Sequence, residues 1–363
     1  MLLLYIKWDI GPGIFSIGSF TLRWYSLLLV TGFLCAYFIL SRMFEKENVG
    51  QQAFNKFALY LFLGTVIGLR LGHCLFYDPL YYLSHPLEIL MVWKGGLASH
   101  GAALGILISM GLYARKYKKN FFWLLDRIVI IVCLAGAMVR VGNLMNSEII
   151  GMPTAKKTGF LFVNGFDRYL TKQSPEIFLD TKISKLNSDT TINGIVYTKM
   201  QLSVWFNNRT DSAAIADCMV NRLPVLIGSK PKLSENVLML PGTSLSLEKE
   251  RRKMRASVVV YAIPRHPAQL YEAAFYLFLF FVFYGLYRKL QGTTKNGLFF
   301  GSFTILLFSF RFIIEFLKEN QVDAEKNMFF NIGQLLSIPF IIAGFVILFM
   351  ALKQKSPAVA NNK

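Results

Sequence analysis

Residues 121–143 read FFWLLDRIVIIVCLAGAMVRVGN, a 23-residue apolar run interrupted by Asp126 and Arg127 near one end and by Arg140 and Asn143 at the other. A helix crosses the hydrocarbon core of a bilayer with roughly 20 predominantly apolar residues, so this stretch has the length and composition of a membrane span. Working outward, six further stretches have the same character: residues 22–40, 57–76, 97–113, 268–287, 298–317 and 332–352. The one at 97–113 is short.

The composition agrees. Of 363 residues, 54% are hydrophobic and 17% charged, which excludes an ordinary soluble domain. The net charge of +18 sits largely in short loops, where it sets topology and attracts anionic membrane lipids, so nucleic acid is excluded as a partner. Arg42, Lys46 and Lys56 follow the first span, Arg115, Lys116, Lys118 and Lys119 the third, and Arg288, Lys289 and Lys295 the fifth. These loops are expected on the cytoplasmic side, with the amino terminus outside and the carboxyl terminus inside. The four cysteines show neither a disulfide framework nor a metal spacing. The first residues, with Lys7 and Asp9 in an apolar run, lack a clear cleavage pattern and read as part of the mature protein.

Residues 148–264 are polar, with β-leaning runs at 195–206 and 256–263 separated by Asn, Gly and Ser. The expected fold is therefore an all-α polytopic membrane protein of about seven transmembrane helices with a small mixed α/β extracytoplasmic head domain. Residues 1–147 would hold four spans, 148–264 the head, and 265–363 three spans and a cytoplasmic tail.

Charged groups near the bilayer centre cost about 2.5–3.5 kcal/mol each, so each needs a partner or a task. In the expected topology they gather near the outer face. Tyr25 opens the first span, Arg70 and His73 close the second, Ser99 and His100 open the third, and Arg140 and Asn143 close the fourth. Arg265, Gln269 and Glu272 open the fifth at spacings that share one helix face, and Arg311 and Glu315 lie in the outer half of the sixth. Asp126 and Arg127, at the other level, are expected to reach the cytoplasmic interface along their own length. Several arginines at one level imply an anionic ligand, because the planar guanidinium binds phosphate through two parallel hydrogen bonds. Gly95, Gly96, Gly101 and Gly105 around His100 permit close helix packing or a lipid-sized recess. Arg311 and Glu315 read equally as an ion pair satisfying itself or as substrate contacts, Arg70 reads similarly, and His73 reads as structural. A lipid or anion transporter, or a structural membrane protein, would share some of these charges. Neither explains why they gather at one level.

Three patterns together resemble the prolipoprotein diacylglyceryl transferase family: Ser99-His100-Gly101; Arg140-Val141-Gly142-Asn143-Leu144-Met145-Asn146-Ser147-Glu148; and Arg265-His266-Pro267-Ala268-Gln269-Leu270-Tyr271-Glu272. Arg23-Trp24-Tyr25, the segment from Arg311 to Glu315 and the run Gly333-Gln334-Leu335-Leu336-Ser337 extend the likeness over nearly all the membrane part. The chain departs from the family pattern at Val139, Leu144 and Ala102, and its head region is longer than usual.

The resemblance implies transfer of the diacylglyceryl group of phosphatidylglycerol to the thiol of a lipobox cysteine in a prolipoprotein. A thioether forms, glycerol phosphate leaves, and neither metal nor organic cofactor takes part. It further implies phosphate binding by Arg140 and Arg265, and contacts to the lipid or its arginines from Asn143, Asn146, Glu148, Gly142, Gln269, Glu272, Arg70, Arg311 and Glu315. Asn143 would bond the head-group glycerol or orient Arg140, and Glu148 would fix an arginine. A partly buried neutral His100 is expected to take the thiol proton, with Glu272, Tyr25 or a thiol that arrives already ionised as alternatives.

Overall fold

A computed structural model describes residues 5–18, 20–91, 96, 98–163, 178–207, 210–229, 235–250, 253–290, 294–319 and 328–354. By internal contact the chain forms two compact units. The first comprises Met1–Leu29, Met138–Ala274 and Ile313–Ile332, the second Val30–Ala137, Phe275–Phe312 and Gly333–Lys363.

Seven long helices follow the expected apolar runs: α1 Trp24–Lys46, α2 Gln51–Phe76, α3 Ser99–Lys116, α4 Phe121–Met145, α5 Ala268–Leu290, α6 Leu298–Ile314 and α7 Ile332–Lys353. Among the described residues, six have the length and hydropathy to cross a membrane, α6 counting together with the 3-10 turn Glu315–Leu317 that continues it. The chain is thus a multi-pass membrane protein that also carries sheets. The helix outside those six is α3, whose 18 residues begin at Ser99-His100-Gly101 and end at Arg115-Lys116.

In the second unit, α3 packs on α2 along a seam of glycines. A Cβ added to Gly68 would overlap the carbonyl oxygen of Gly101, and one added to Gly105 would overlap that of Gly64. At Gly72 it would lie 2.6 Å from the Cα of Gly101. Only residues without a side chain allow backbones this close, a recurring device between membrane helices. Of the two readings of Gly101 and Gly105, close packing is the one realised. An apolar cavity of about 420 Å³ lies elsewhere in this unit, lined by Phe33 and Tyr37 of α1, Leu61 and Val66 of α2, Ile106 of α3 and Val132 of α4 among others.

The expectation for Asp126 and Arg127 is corrected, since both side chains are buried. Asp126 accepts the backbone N–H groups of Gly297 and Phe300, each at 2.8 Å, and so caps the amino-terminal end of α6, where the free N–H groups and helix dipole favour an anion. Arg127 holds Glu47 through Nε at 3.1 Å and Nη2 at 2.6 Å and lies 4.4 Å over the Trp123 ring. Glu47 also accepts from Trp123 Nε1 at 2.9 Å and the Tyr287 hydroxyl at 2.8 Å. Satisfied locally, neither charge needs to reach an interface. Removing one partner of a buried pair strands the other, at a cost of about 3–5 kcal/mol. Glu47→Ala is therefore expected to lower the thermal midpoint of the detergent-solubilised protein markedly and Glu47→Gln less so; an unchanged midpoint for Glu47→Ala would refute the account.

The first unit holds the sheets. β1 Ile6–Trp8, β4 Phe160–Phe162 and β10 Pro264–Arg265 form one, with β1 parallel and β10 antiparallel to β4. β2 Gly13–Ile17 and β3 Phe20–Arg23 form a hairpin. The largest runs β5 Asp180–Ile192, β6 Ile195–Asn207, β9 Lys253–Ala262 and β7 Val237–Leu238, with β8 Leu245–Glu250 also paired to β9. Both β-leaning runs of the sequence fall in it as β6 and β9. Alternate residues Met200, Leu202, Val204 and Phe206 of β6 and Ala256, Val258 and Val260 of β9 bury one face. Ile215, Met219 and Leu223, from the short helical stretch spanning Ser212–Asp217, Cys218–Arg222 and Leu223–Gly228, join that core. Lys7 of β1 reaches the carbonyl of Ile183 on β5 at 2.6 Å.

Candidate functional site

The first unit brings three distant segments together through a short backbone ladder. Residues 151–154 run between the end of β9–β10 and the turn after α6. Gly151 N donates to His266 O and Met152 N to Leu317 O, while His266 N donates back to Met152 O and Thr154 N to Pro264 O. Isolated bridges join Gly151 to Lys318 and Pro153 to Arg265. Gly151 is required here, since a Cβ would lie 2.6 Å from the carbonyl oxygen of His266 and 2.8 Å from that of Leu317. This ladder fixes Arg265 and Lys318 relative to the start of α5.

On α4, Arg140 and Asn143 lie in the last turns. The helix ends at Met145 and the chain reverses through left-handed Ser147 (φ 50°) and Ile149 (φ 57°). This fold-back is closed by Glu148 N donating to Asn143 O at 2.9 Å. It sets the Glu148 carboxylate against the Asn143 and Asn146 amides, 3.4 Å from each Nδ2. Gln269 of α5 donates Nε2 to the Glu148 carbonyl at 2.5 Å. The Asn146 Oδ1 and Gln269 Oε1 are buried and have no hydrogen-bond partner among the described residues. Unsatisfied buried acceptors of this kind suit a ligand that brings hydroxyl donors. Gly142 supports Tyr25, because a Cβ would lie 2.8 Å from that ring.

Arg140 pairs with Glu272 of α5, Nε to Oε2 at 3.2 Å. Glu272 Oε1 in turn accepts from Lys318 Nζ at 2.8 Å, and Lys318 lies 3.8 Å from Glu315. Lys318, Glu272 and Glu315 are buried, whereas the Arg140 side chain stays 18% exposed. Among the described residues its two Nη groups have no hydrogen-bond partner. The guanidinium is thus held by its Nε edge with its fork open.

Several expectations are corrected by this geometry. Glu272, rather than Glu148, holds the arginine of α4. Arg265 does not share a helix face with Gln269 and Glu272. It lies in β10, because the residue before a proline is pushed out of helical conformation and Pro267 holds His266 extended, so that α5 starts only at Ala268. Both its Nη groups are occupied, Nη1 by Glu319 and by the Gly151 carbonyl at 3.2 Å, Nη2 by the Glu235 carbonyl at 2.7 Å. Glu315 pairs with Lys318 and Arg311 is exposed, since the tightening to a 3-10 turn at Glu315 breaks the spacing that would align residues 311 and 315. His266, beside Arg265, bonds the Tyr271 hydroxyl through Nδ1 at 3.2 Å, and burial, reinforced by Lys156, lowers its pKa.

The second unit holds Arg70 and His100. Arg70 is buried rather than open to an anion: Nε donates to the Ile89 carbonyl at 2.9 Å, Nη2 to that of Glu88 at 2.5 Å and Nη1 to that of Gly96 at 3.4 Å. It ties down the connection after α2. His73 stacks on Tyr77 at 5.3 Å and lies in the space a Gly96 side chain would need, as a structural histidine does. His100 is exposed rather than partly buried, its ring against Phe76 at 5.1 Å and Tyr77 at 6.0 Å. With Gly101 in the seam, the neighbouring position necessarily points off it. Of the residues missed by the sequence reading, Lys318 matters most; its one signal was an i,i+3 spacing to Glu315.

The profile of the family described as prolipoprotein diacylglyceryl transferase matches residues 12–350. Similar relatives, each called phosphatidylglycerol--prolipoprotein diacylglyceryl transferase, come from Chloroherpeton thalassium (32% identical, covering 96% of both chains), Tolumonas auensis (31%, 96% of this chain and 98% of the relative) and Bacteroides fragilis (33%, 98% of both). The chain belongs to the prolipoprotein diacylglyceryl transferase family.

Proposed function

We propose that this protein transfers the diacylglyceryl group of phosphatidylglycerol to the lipobox cysteine thiol of a prolipoprotein, with Arg140 binding the phosphate. The observation that carries the site reading is the open Nη fork of Arg140, held at Nε by Glu272. The thiol sulfur attacks a glyceryl carbon, the carbon–oxygen bond to phosphate breaks, and glycerol phosphate leaves with the electron pair. Charge grows on the phosphate oxygens as that bond opens, so a cation already aimed at them lowers the barrier. Asn143, Asn146, Glu148 and Gln269 surround the buried acceptors and are assigned to the glycerol hydroxyls of the head group, with Gly142 and Tyr25 assigned to the same site.

Arg265 enters second. Its fork takes phosphate only if Glu319 lets go, so its part is to hold the ladder and, on release, to add a second cation. Arg311 and Glu315 are assigned to the rim and to Lys318 respectively, and Arg70 to the connection after α2. The topology proposed is seven spans, α3 included, in a bacterial cytoplasmic membrane. The amino terminus and the sheet-bearing head lie outside, the carboxyl terminus inside, and the site near the outer leaflet. The cavity among α1 to α4 suits an acyl chain of membrane lipid.

His100 is assigned as the base that accepts the thiol proton. In a purified system with labelled phosphatidylglycerol and a lipobox peptide, His100→Gln is expected to lower turnover by about 10²-fold or more near neutral pH. Raising the pH, which ionises the peptide thiol without help, should recover much of it. Near-normal turnover of His100→Gln across pH would move the role to Tyr25, Glu272 or the thiol itself. Label crossing a vesicle membrane with no covalent product would favour a transporter instead.

A further inference from the structure

Lys318 stands outside every motif that carries the family resemblance, yet it is as enclosed as Arg265, its side chain 4% exposed. Its backbone is pinned by the bridge to Gly151 and by its own N–H to Glu315 O at 3.2 Å. A lysine so buried is tolerated only where its charge is met, and here two carboxylates meet it: Glu272 at 2.8 Å and Glu315 at 3.8 Å. Arg140, Glu272, Lys318 and Glu315 thus form a line of alternating sign with no net charge.

The line has a consequence for the arginine. A carboxylate free to choose meets a guanidinium with two parallel hydrogen bonds, across the two Nη groups or, as Glu47 meets Arg127, across Nε and Nη2, and either way it takes an Nη donor that a phosphate would use. Glu272 does not do so. Its Oε1 is held by Lys318, and its Oε2 faces the Nε edge of Arg140 at 3.2 Å without a hydrogen bond. We infer that Lys318 is a positioning residue for the transfer reaction: it draws Glu272 aside and so keeps the Arg140 fork available for the lipid phosphate. The inference rests on the reading of Arg140 as the phosphate residue. Without Lys318, Glu272 becomes an internal competitor for that fork.

The test is the KM for phosphatidylglycerol in mixed micelles at saturating lipobox peptide. Lys318→Met is expected to raise it about ten- to a hundredfold, the factor of one charge-assisted hydrogen bond, with a smaller change in kcat. Lys318→Arg should stay near the wild type. Adding Glu272→Gln to Lys318→Met should recover affinity, because an amide competes poorly for the fork; a residue that only supports folding would not be rescued by a second substitution at its partner. Should Lys318→Met fail to accumulate, Lys318→Met with Glu315→Gln removes one charge of each sign and is expected to show the same KM shift. An unchanged KM in either variant, or a rise that Glu272→Gln does not relieve, overturns the role of Lys318. Full transfer by Arg140→Ala would instead overturn the reading on which it rests.

Discussion

Replacing Arg140 with alanine is expected to abolish diacylglyceryl transfer, by about 10²–10³-fold or more, while the protein still accumulates in the membrane. The two halves of that expectation have different sources. Activity falls because the phosphate oxygens lose the cation that meets their developing charge. Accumulation holds because Glu272 keeps Lys318 at 2.8 Å and so is not left without a cation, and the space vacated belongs to a side chain already partly exposed. Arg140→Lys separates charge from shape. An ammonium can keep an ion pair with Glu272 but offers no planar pair of donors, so it is expected to retain a small fraction of the activity, with most of the loss persisting. Label transfer to a lipobox peptide, normalised to the amount of purified protein, measures both variants. Transfer by Arg140→Ala within tenfold of wild type would remove Arg140 from the phosphate.

The long helices were legible because hydrophobic length is a one-dimensional property: all seven apolar runs became long helices with ends shifted by a few residues, six of them long and apolar enough to cross a membrane. The largest sheet was legible where strands alternate, as in β6 and β9. Its β5 partner, Asp180–Ile192, is too polar to read as a strand alone; the stronger clue was Asn193-Gly194, both at positive φ in the turn that joins β5 to β6. The gathering of Arg140, Asn143, Gln269 and Glu272 at adjoining helix ends was readable for the same reason as the long helices. What could not be read was pairing. Glu272 finds Arg140 and Lys318 only because residues 151–154 lace β10 to the turn after α6, and nothing in local spacing announces a ladder between segments so far apart in sequence. The position of Arg265 was readable in principle: Pro267 marks the residue before it as extended, which excludes a helix face running from 265 to 272.

Gly101→Leu is expected to prevent assembly of the second unit, with most of the protein lost from the membrane fraction or aggregating on extraction. A Cβ at Gly101 would overlap the Gly68 carbonyl oxygen and lie 2.7 Å from the Gly72 Cα. These are backbone atoms and cannot turn aside as a side chain can, so α2 and α3 must separate along the whole seam from Gly64 to Gly105. In a membrane no hydrophobic gain compensates, because lipid tails are as apolar as leucine, and van der Waals contact between the helices is what the separation destroys. Gly111 supplies the control: it lies on the same helix, and a Cβ there meets nothing within 4 Å. Gly111→Ala should therefore leave yield and thermal midpoint unchanged or slightly improved, as helix propensity favours alanine by about 1 kcal/mol. If Gly101→Leu accumulated and melted like Gly111→Ala, the seam would not be holding α3 on α2, and the glycine beside His100 would need another explanation. The expected result instead ties the His-Gly pair to one structural logic: Gly101 brings α3 onto α2, and its place in the seam turns His100 to the exposed side of the helix.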